Sequence, residues 1–364
     1  MKCVFKDILE IKNGKNQKNV ENSDGVYPIY GSGGIMGYAD DYICPSDTVI
    51  IGRKGNINSP IYVEEPFWNV DTAFGLIANR KYLIAKYLFY FCKKFNFEKL
   101  NKAVTIPSLT KSDLLEIKID LPDKSSQQLI VDRLNTVERV IELRQQELSQ
   151  LDNLIKARFI ELFGDPATPG EKFKTSKLGE VADVKSSHRV FTTEFVDEGV
   201  PFYRGTEIGA LASGQQPEDS YRISMEHYLK IASDDSKPMR GDLLLPSICN
   251  KGQVWMVDTD EPFYYKDGRV LCISPDRSVF DSRYLQFYMK IRTEAEYPKL
   301  GSGSTFAEFK IFQLKELGVD IPPINAQKAF NLFADQVDKS KAAVQKALDE
   351  TQLLFDSLMQ EYFG

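Results

Sequence analysis

The sequence is poor in the residues that metal sites and covalent catalysis use. Its 364 residues include only two histidines, His188 and His227, which share no motif. The five cysteines are scattered without the spacing of a metal site, at Cys3, Cys44, Cys92, Cys249 and Cys272. We therefore predict no metal site and no catalytic residue. An odd number of unpatterned thiols is typical of the reducing cytoplasm, where we expect the protein to act.

Several enzyme motifs are also missing. No glycine-rich loop ends in Gly-Lys-Ser or Gly-Lys-Thr, which argues against ATP use. No Asn-Pro-Pro-Tyr/Phe or Asp-Pro-Pro-Tyr tetrapeptide is present, so the site of an amino-methyltransferase is absent. Residues 113–118 place two carboxylates before a lysine, as some nucleases do, but the stretch alternates like a strand. The sequence shows neither a signal peptide nor an apolar run that predicts a membrane span.

What the chain does contain is a long internal repeat. Residues 105–164 align without a gap on residues 305–364, and thirteen of the sixty positions are identical. The identical pairs include Gln127/Gln327 and Leu154/Leu354. A repeat of this length indicates one structural unit used twice.

Each copy of the repeat predicts a long helix. No proline or glycine occurs between Pro122 and Gly164, or between Pro323 and Gly364, and apolar residues recur every three or four positions. This heptad pattern is typical of helices that pack as a coiled coil. Each helix has a charged residue at one seam position where the other helix has an apolar residue: Arg144 corresponds to Val344, and Lys341 corresponds to Ile141. This is expected if each helix packs against the other and not against a second copy of itself. We expect Ser125 or Ser126 to cap the first helix and Asn325 the second.

A globular stretch precedes each helix, and the two stretches share several short motifs. We predict globular domains at residues 1–125 and 165–322 and long helices at 126–164 and 323–364. Short apolar runs bounded by glycine, proline and asparagine indicate strands, with a helix near 83–95 and another near 281–293. The predicted fold class is mixed α/β. It has two globular domains of small β-sheets with helices, related by a pseudo-twofold axis and separated by two long antiparallel coiled-coil helices.

The order of motifs over the full length resembles the specificity subunit of a type I restriction–modification system. The glycine loop at 30–38, the basic-glycine turn at 50–55, the helix entry at 105–109 with Pro122 and Gln127, and the helix exit at 161–166 carry the resemblance. The second copy departs from the pattern at 307–309, where Ala-Glu-Phe replaces Pro-Ser-Leu. The counterpart of Arg53 in that copy is taken to be Asn250-Lys251.

The resemblance implies a subunit with no chemistry of its own. Each globular domain would be a target-recognition domain that reads one half of a split, asymmetric sequence in double-stranded DNA. The helices would fix the gap and dock two modification subunits, which carry S-adenosylmethionine and methylate adenine. A motor subunit that cleaves DNA with ATP is a further implied partner. No cofactor is expected in this chain, and no membrane.

Charge argues against tight DNA binding by the isolated chain. The formal net charge is −6, whereas DNA-binding domains are usually basic. Residues 1–125 carry 17 basic and 15 acidic side chains, and residues 165–322 carry 20 and 25. Because affinity for phosphate depends on local lysine and arginine contacts, we expect weak binding that partner subunits reinforce.

The candidate DNA-reading residues are polar side chains on predicted loops. Arg53 and Lys54 occupy a turn between two glycines, where the backbone approaches DNA closely. A solvated basic hairpin tip is an equal alternative. The other candidates in the first domain are Asn56, Ser32 and Asn58; those in the second are Asn250, Lys251, Arg189, Arg204 and Arg222. Trp68 and Trp255 are predicted core residues.

Apolar residues off the heptad seam are candidates for partner binding. They are Leu129, Val140, Leu143 and Leu154 on the first helix and Phe333, Ala343, Ala347 and Leu354 on the second. Such residues also serve to cover the globular domains, and the sequence leaves both roles open. A second function class stays open as well: a structural or interaction adaptor with paired domains on a helical spacer and no base readout.

Overall fold

The chain forms two compact units, each of which contains one globular domain and parts of both long helices. The structure, a computed structural model, describes residues 2–101, 107–218, 220–301 and 307–364. Unit 1 comprises Met1–Glu147 with Val344–Gly364, and unit 2 comprises Leu148–Ala343. The repeat positions Thr105 and Thr305, and Ile106 of the helix-entry motif, lie outside the described residues.

Unit 1 is built on small sheets. Its elements are β1 Lys2–Val4, α1 Phe5–Ile8, β2 Leu9–Asn13, β3 Tyr27–Gly31, β4 Gly34–Ala39, β5 Thr48–Gly52, β6 Ile61–Val63, β7 Trp68–Asn69, β8 Ala73–Ala78, α2 Ala85–Lys94, α3 Lys111–Leu115, β9 Lys118–Asp120 and the long helix α4 Lys124–Phe163. One antiparallel sheet has the order β2-β8-β5-β6, a second has the order β4-β3-β7, and β1 pairs with β9. The strand β5 is apolar and fully buried because both of its faces are covered.

Unit 2 repeats this plan with insertions. Its elements are β10 Thr175–Lys177, α5 Leu178–Val181, β11 Ala182–Lys185, β12 Phe195–Val196, β13 Val200–Tyr203, α6 Gly205–Ala212, β14 Tyr221–Ile223, α7 Met225–Ile231, β15 Leu243–Pro246, β16 Trp255–Met256, β17 Tyr264–Tyr265, β18 Val270–Pro275, α8 Ser282–Glu296, α9 Ile311–Lys315, β19 Gly318–Asp320 and the long helix α10 Ile324–Phe363. Its sheets have the orders β11-β18-β15-β16 and β12-β14-β13-β17, and β10 pairs with β19. The main difference is that α6 follows β13, whereas a tight hairpin follows β3 in unit 1.

The long helices pack antiparallel within each unit. In unit 1, Arg133 near the start of α4 donates a hydrogen bond of 3.0 Å to the hydroxyl of Tyr362 at the end of α10. The Arg144 guanidinium interrupts the apolar seam and donates to the carbonyl of Ala347 and the hydroxyl of Thr351. In unit 2, the other seam cation, Lys341, pairs with Asp152. Each cation therefore finds a polar partner on the opposite helix.

The helix caps differ from the prediction. Asp123, and not Ser125 or Ser126, is the N-cap of α4, because its carboxylate accepts a 2.9 Å hydrogen bond from the backbone N–H of Ser126. The two serine hydroxyls donate to the same carboxylate, and these hydrogen bonds hold the pKa of Asp123 well below its usual range. Asn325 lies inside the first turn of α10, so it is not a cap either.

The identical pair Gln127 and Gln327 fastens each long helix to its globular domain. The Gln127 side chain accepts from the N–H of Ile84, at the start of α2, and donates to the carbonyls of Tyr82 and Pro122, all at 2.9 Å. Gln327 repeats the three contacts at the same distances, with Asp281, Val279 and Pro322. Both side chains are fully buried. An identical residue of the repeat thus has an identical structural role.

The predicted mixed α/β class is confirmed, with two sheet-rich domains and two long helices, as are the helices near 83–95 and 281–293 and the burial of Trp68 and Trp255. The glycine loop at 30–38 forms the end of β3, the turn and most of β4 in the β3–β4 hairpin. One further local expectation was wrong: residues 113–118 do not form one strand, because their first half belongs to α3.

Candidate nucleic-acid interface

Four loops of unit 1 meet at one end of its sheets. Backbone hydrogen bonds join Gly14 to Ala73 (3.2 Å), Arg53 to Thr72 (2.8 Å) and Val70 to Tyr30 (3.0 Å). These bonds gather residues 13–19, 31–34, 53–58 and 70–72, which we call loop edge 1. Because each loop begins or ends at a strand of the core, the polar side chains on this edge have a rigid base.

The turn that carries Arg53 and Lys54 has a fixed backbone and exposed side chains. The Arg53 carbonyl accepts a 2.9 Å hydrogen bond from the N–H of Leu109, and the N–H of Gly55 donates to Pro107 at 3.0 Å. Gly55 has a φ of +75°, a conformation that favours glycine. Both cationic side chains are exposed, and in the described part of the chain neither forms an ion pair.

The remaining candidates of unit 1 divide into two groups. The Asn56 amide lies 3.5 Å from the Ser32 carbonyl, so the structure brings these residues together beside the basic turn. Gly52 makes this approach possible, because a Cβ there would lie 2.1 Å from the Asn56 carbonyl oxygen. Asn58 instead accepts a 2.8 Å hydrogen bond from the N–H of Phe97, which gives it a structural role after α2.

Residues 13–19 belong to this edge and were missed in the sequence. They read Asn-Gly-Lys-Asn-Gln-Lys-Asn, and Lys15, Asn16, Lys18 and Asn19 are exposed. The Trp68 indole fixes the loop by donating a 3.0 Å hydrogen bond to the Lys15 carbonyl. The available signal was a run of seven residues without an apolar side chain directly after a strand. With these lysines, loop edge 1 carries four cations against the single carboxylate of Asp71.

The backbone pairing corrects the expected counterpart of Arg53 in unit 2. Ser247 follows β15 as Arg53 follows β5. Its N–H donates to the Arg269 carbonyl (2.9 Å) and its carbonyl accepts from the N–H of Phe309 (2.8 Å), as Arg53 does with Thr72 and Leu109. Asn250 and Lys251 come later in the loop, where Gly252 packs against the α8 backbone at Lys290. The Asn250-Lys251 motif therefore does not lie at the position equivalent to Arg53.

Unit 2 has an equivalent edge with a different electrostatic character. Residues 186–190, 204–206, 247–248 and 266–269 form loop edge 2. They are joined by bonds such as the 3.0 Å contact from the Gly268 N–H to the Ser186 hydroxyl and the 2.9 Å contact from Lys266 to Tyr203. Each cation of this edge has a carboxylate partner: Arg189 with Asp267, Arg204 with Glu207, Lys266 with Asp267, and Arg269 with Glu308. The hydrogen bond to Glu207 raises the pKa of Arg204.

Beside these cations, unit 2 has an open groove of about 700 Å³. Gly205 and Gly209 of α6 line it together with Pro246 and Ile248, so much of its lining is apolar. Arg222, the last sequence candidate, lies instead on β14, where it is exposed and donates a 3.0 Å hydrogen bond to the Gly199 carbonyl. The two edges therefore offer different chemistry: free cations and amides in unit 1, paired cations and an apolar groove in unit 2.

The candidate partner-binding residues differ in exposure. Leu129, Leu143, Leu154 and Leu354 are each about half exposed, between 46% and 51%, although they are large and apolar. Ala343 is exposed, Val140 and Ala347 are half-buried, and Phe333 packs into the core of unit 2. Leu332 and Leu353 are more exposed still, and the sequence reading missed them.

No group of metal-binding side chains stands out in the described ranges. The residues that the structure describes contain no cluster of three or more potential metal ligands. All five cysteines are free and buried, and burial raises the pKa of Cys44 to about 12. Among the described residues, no helix has the length and apolarity needed to cross a membrane.

Known proteins are similar to this chain in sequence and in fold. Residues 3–153 and 170–351 both match the family model of the type I restriction modification DNA specificity domain. A putative type I restriction enzyme specificity subunit of Haemophilus influenzae is 25% identical over 358 residues, which cover 94% of this chain and 90% of the relative. A putative specificity subunit of Methanocaldococcus jannaschii is 25% identical over 399 residues, covering 94% and 89%.

Two solved structures share the architecture. The S subunit of a type I restriction–modification system from M. genitalium aligns with a TM-score of 0.60 at 16% identity, covering all of this chain and 96% of the other. A chain from a structural study of type I R-M complex assembly and conformational transition aligns with a TM-score of 0.61 at 18% identity, covering 100% and 97%. At this identity the likeness establishes the fold.

Proposed function

The chain belongs to the type I restriction–modification DNA specificity family and is a DNA sequence-recognition subunit, and from this premise we propose how its parts divide the work. Each globular domain reads one half of a bipartite, asymmetric DNA target through its loop edge. The chain itself performs no catalysis. The observation that carries this proposal is that two equivalent edges with the same backbone frame display different polar groups.

In the first half-site, Arg53 and Lys54 are the principal readers. Arginine or lysine paired with the O6 and N7 of guanine is the commonest specific base contact, and asparagine suits adenine. Asn56 and Ser32 stand beside the basic turn and supply amide and hydroxyl groups. Lys15 and Lys18 then contact the flanking phosphates, which position the domain without carrying sequence information. Asn58 is left out of this set because its side-chain carbonyl oxygen already accepts the hydrogen bond from the N–H of Phe97.

In the second half-site, the readers are Arg189, Arg204 and Arg269. Their carboxylate partners fix the guanidinium groups in place and lower the local charge, so we expect this domain to bind phosphate weakly. The groove beside α6 offers an apolar surface, which suits the methyl group of thymine. Asn250 and Lys251 are left out of this set because Ser247 occupies the place predicted for them, and Arg222 is assigned a phosphate contact.

The long helices set the gap between the half-sites and dock two modification subunits. Large apolar side chains exposed on a helix mark an interaction surface, and we assign this role to Leu129, Leu143, Leu154 and Leu354. The modification subunits supply S-adenosylmethionine and a motor subunit supplies ATP-driven cleavage. The whole assembly acts in the cytoplasm. Nothing favours the alternative of an adaptor that does not read bases.

The test is to express the chain with its modification subunits and map N6-methyladenine across the host genome. We expect one methylated two-part motif with a fixed gap. Lys54→Ala should relax or abolish one half of that motif and leave the other half unchanged. Lys81→Ala, at an exposed lysine beyond the end of β8 that is far from loop edge 1, should change neither. A variant that altered both half-sites at once would refute the assignment of one domain to each half.

Docking is tested separately. Leu143→Glu should prevent co-purification with the modification subunit, and Gln145→Glu, which adds the same charge to an exposed position of the same helix, should not. Equal co-purification of both variants would remove Leu143 from the proposed interface.

A further inference from the structure

A cleft of about 360 Å³ in unit 2 gathers more positive than negative charge. It lies between α8, residues of α4 from Asp152 to Phe159, and residues of α10 up to Lys341. Its five cations are Lys156, Lys251, Arg283, Lys290 and Lys341.

Carboxylates neutralise two of these cations. Arg283 pairs with Asp335 at 2.8 Å and with Asp338, and Lys341 pairs with Asp152. Glu294 also lines the cleft and is exposed. In the described part of the chain, Lys156, Lys251 and Lys290 have no carboxylate oxygen within ion-pair distance. Three ammonium groups therefore line one cleft without a counter-ion of their own.

Lys290 is the most constrained of the three. It is half-buried on α8, and its ammonium lies 5.9 Å from the centre of the Phe287 ring. Burial lowers the pKa of Lys290 and the positive charge of Lys341 lowers it further, whereas the carboxylates of Asp338 and Asp152 raise it. Burial is the largest of these effects and disfavours the charged ammonium, so an anion that binds next to the ammonium stabilises it.

The loop that carries Lys251 is built to lie against α8 at this point. Gly252 has a φ of +62°, and a Cβ there would lie 2.3 Å from the Lys290 carbonyl oxygen, so a glycine is needed. The Gln253 side chain accepts a 3.0 Å hydrogen bond from the N–H of Lys251 and holds the loop in place. Lys251 is thereby fixed at the cleft and away from loop edge 2.

The corresponding cleft of unit 1 has the opposite character. Lys93 of α2 corresponds to Lys290 of α8, and Glu138 neutralises it at 2.6 Å. Glu64, Glu65 and Glu142 add further negative charge there, against one more cation, Lys86. Two copies of one partner subunit would need similar surfaces on both repeats, so the charge reversal points to a ligand that unit 2 alone binds.

We propose that the unit 2 cleft binds a phosphoryl group through Lys156, Lys251 and Lys290. Lysine ammonium groups bind phosphate as point charges. Three of them exceed the single negative charge of a backbone phosphodiester and come closer to the charge of a pyrophosphate. The group comes either from the DNA backbone or from a free polyphosphate. Binding here is independent of base reading at the two loop edges.

The first experiment uses the full chain and inorganic pyrophosphate, with the dissociation constant measured by calorimetry. Lys290→Gln and Lys251→Gln should each weaken binding at least about tenfold, since a charge-assisted contact contributes on that scale. Lys290→Arg keeps the charge and should retain most of the affinity. Lys328→Gln, at an exposed position of α10 that does not line the cleft, is the matched control and should bind as the unchanged chain does. Melting temperatures verify that every variant is folded.

The second experiment identifies the source of the phosphoryl group. In the complex with modification subunits, the logarithm of DNA affinity falls linearly with the logarithm of salt concentration, and each lost phosphate contact reduces the slope by about 0.9. A reduced slope for Lys290→Gln, with DNA competing against pyrophosphate, assigns the cleft to the DNA backbone. If Lys290→Gln leaves the slope unchanged, while the unsubstituted chain binds pyrophosphate, the cleft is assigned to a free polyphosphate. Absence of pyrophosphate binding, or equal binding by Lys290→Gln and Lys328→Gln, overturns the proposal.

Discussion

Replacing Gln127 with leucine should loosen unit 1 where its long helix joins the globular domain. The substitution keeps the side-chain volume nearly constant but removes one acceptor and two donors. It leaves the N–H of Ile84 and the carbonyls of Tyr82 and Pro122 without their partner. Because the glutamine side chain is fully buried, water does not replace it without opening the structure.

The expected loss of stability follows from the number of buried polar groups that are left without a hydrogen-bond partner. An unsatisfied buried polar group costs roughly 1–3 kcal/mol. Relaxation around Tyr82, which is an exposed residue, and the burial of an apolar side chain offset part of this cost. We expect a loss of about 3 kcal/mol in the free energy of unfolding of unit 1, a large fraction of the 5–15 kcal/mol that is typical of a folded domain.

Hydrogen exchange measured by mass spectrometry reports the two units separately. Gln127→Leu should speed exchange of the Ile84 amide and of the α2 segment while leaving the α8 segment unchanged, and Gln327→Leu should do the reverse. Gln128→Leu is the control, since Gln128 is exposed and its side chain donates a hydrogen bond to Asp132 on its own helix; it should change stability by about 0.5 kcal/mol at most. If Gln127→Leu exchanges no faster than Gln128→Leu, the contacts do not fasten the helix and the reasoning is wrong.

Three further predictions concern the turn, the helix cap and the thiols. Gly52→Ala places a Cβ 2.1 Å from the Asn56 carbonyl, so we expect a loss of about 1–3 kcal/mol in urea unfolding, whereas Gly33→Ala, with open space around it, should be tolerated. Asp123→Ala should lower the melting temperature at neutral pH. Because the folded-state pKa of Asp123 lies below its ordinary 3.8, the cap's contribution is present above that pH and disappears as the pH falls towards the folded-state value, so the difference in melting temperature should shrink in acid. The native chain should react slowly with a thiol reagent and expose all five thiols only on unfolding, and fast labelling of Cys44 or Cys272 in the native state would contradict their burial and raised pKa.

The sequence predicted the architecture well because periodicity and repetition report directly on packing. A heptad seam without proline or glycine has few structural solutions, and a second copy of the same pattern limits them further. Local details were less predictable. The prediction of the N-cap was wrong because Ser125, Ser126 and Asp123 are all good capping residues. Only the position at which the helix begins decides among them.

In the candidate site, too, some features were predictable from the sequence and others were not. Sequence alone placed Arg53 and Lys54 on a turn held between glycines, since the motif is local. It assigned Lys251 to the equivalent place in the second copy because the residues look alike, whereas strand pairing gives that place to Ser247. Residues 13–19 escaped notice because an isolated polar loop acquires meaning only when hydrogen bonds bring it beside other loops.

The sequence by itself therefore determined the two-copy plan, the long helices, the buried strands and the family. These features arise from short-range patterns that burial imposes on the chain. Tertiary structure alone decided which loops share an edge, which cations keep a free charge, and that Lys251 faces a cleft beside α8. Those properties depend on contacts between residues far apart in the chain, where a one-residue change in loop length moves a side chain to a different surface.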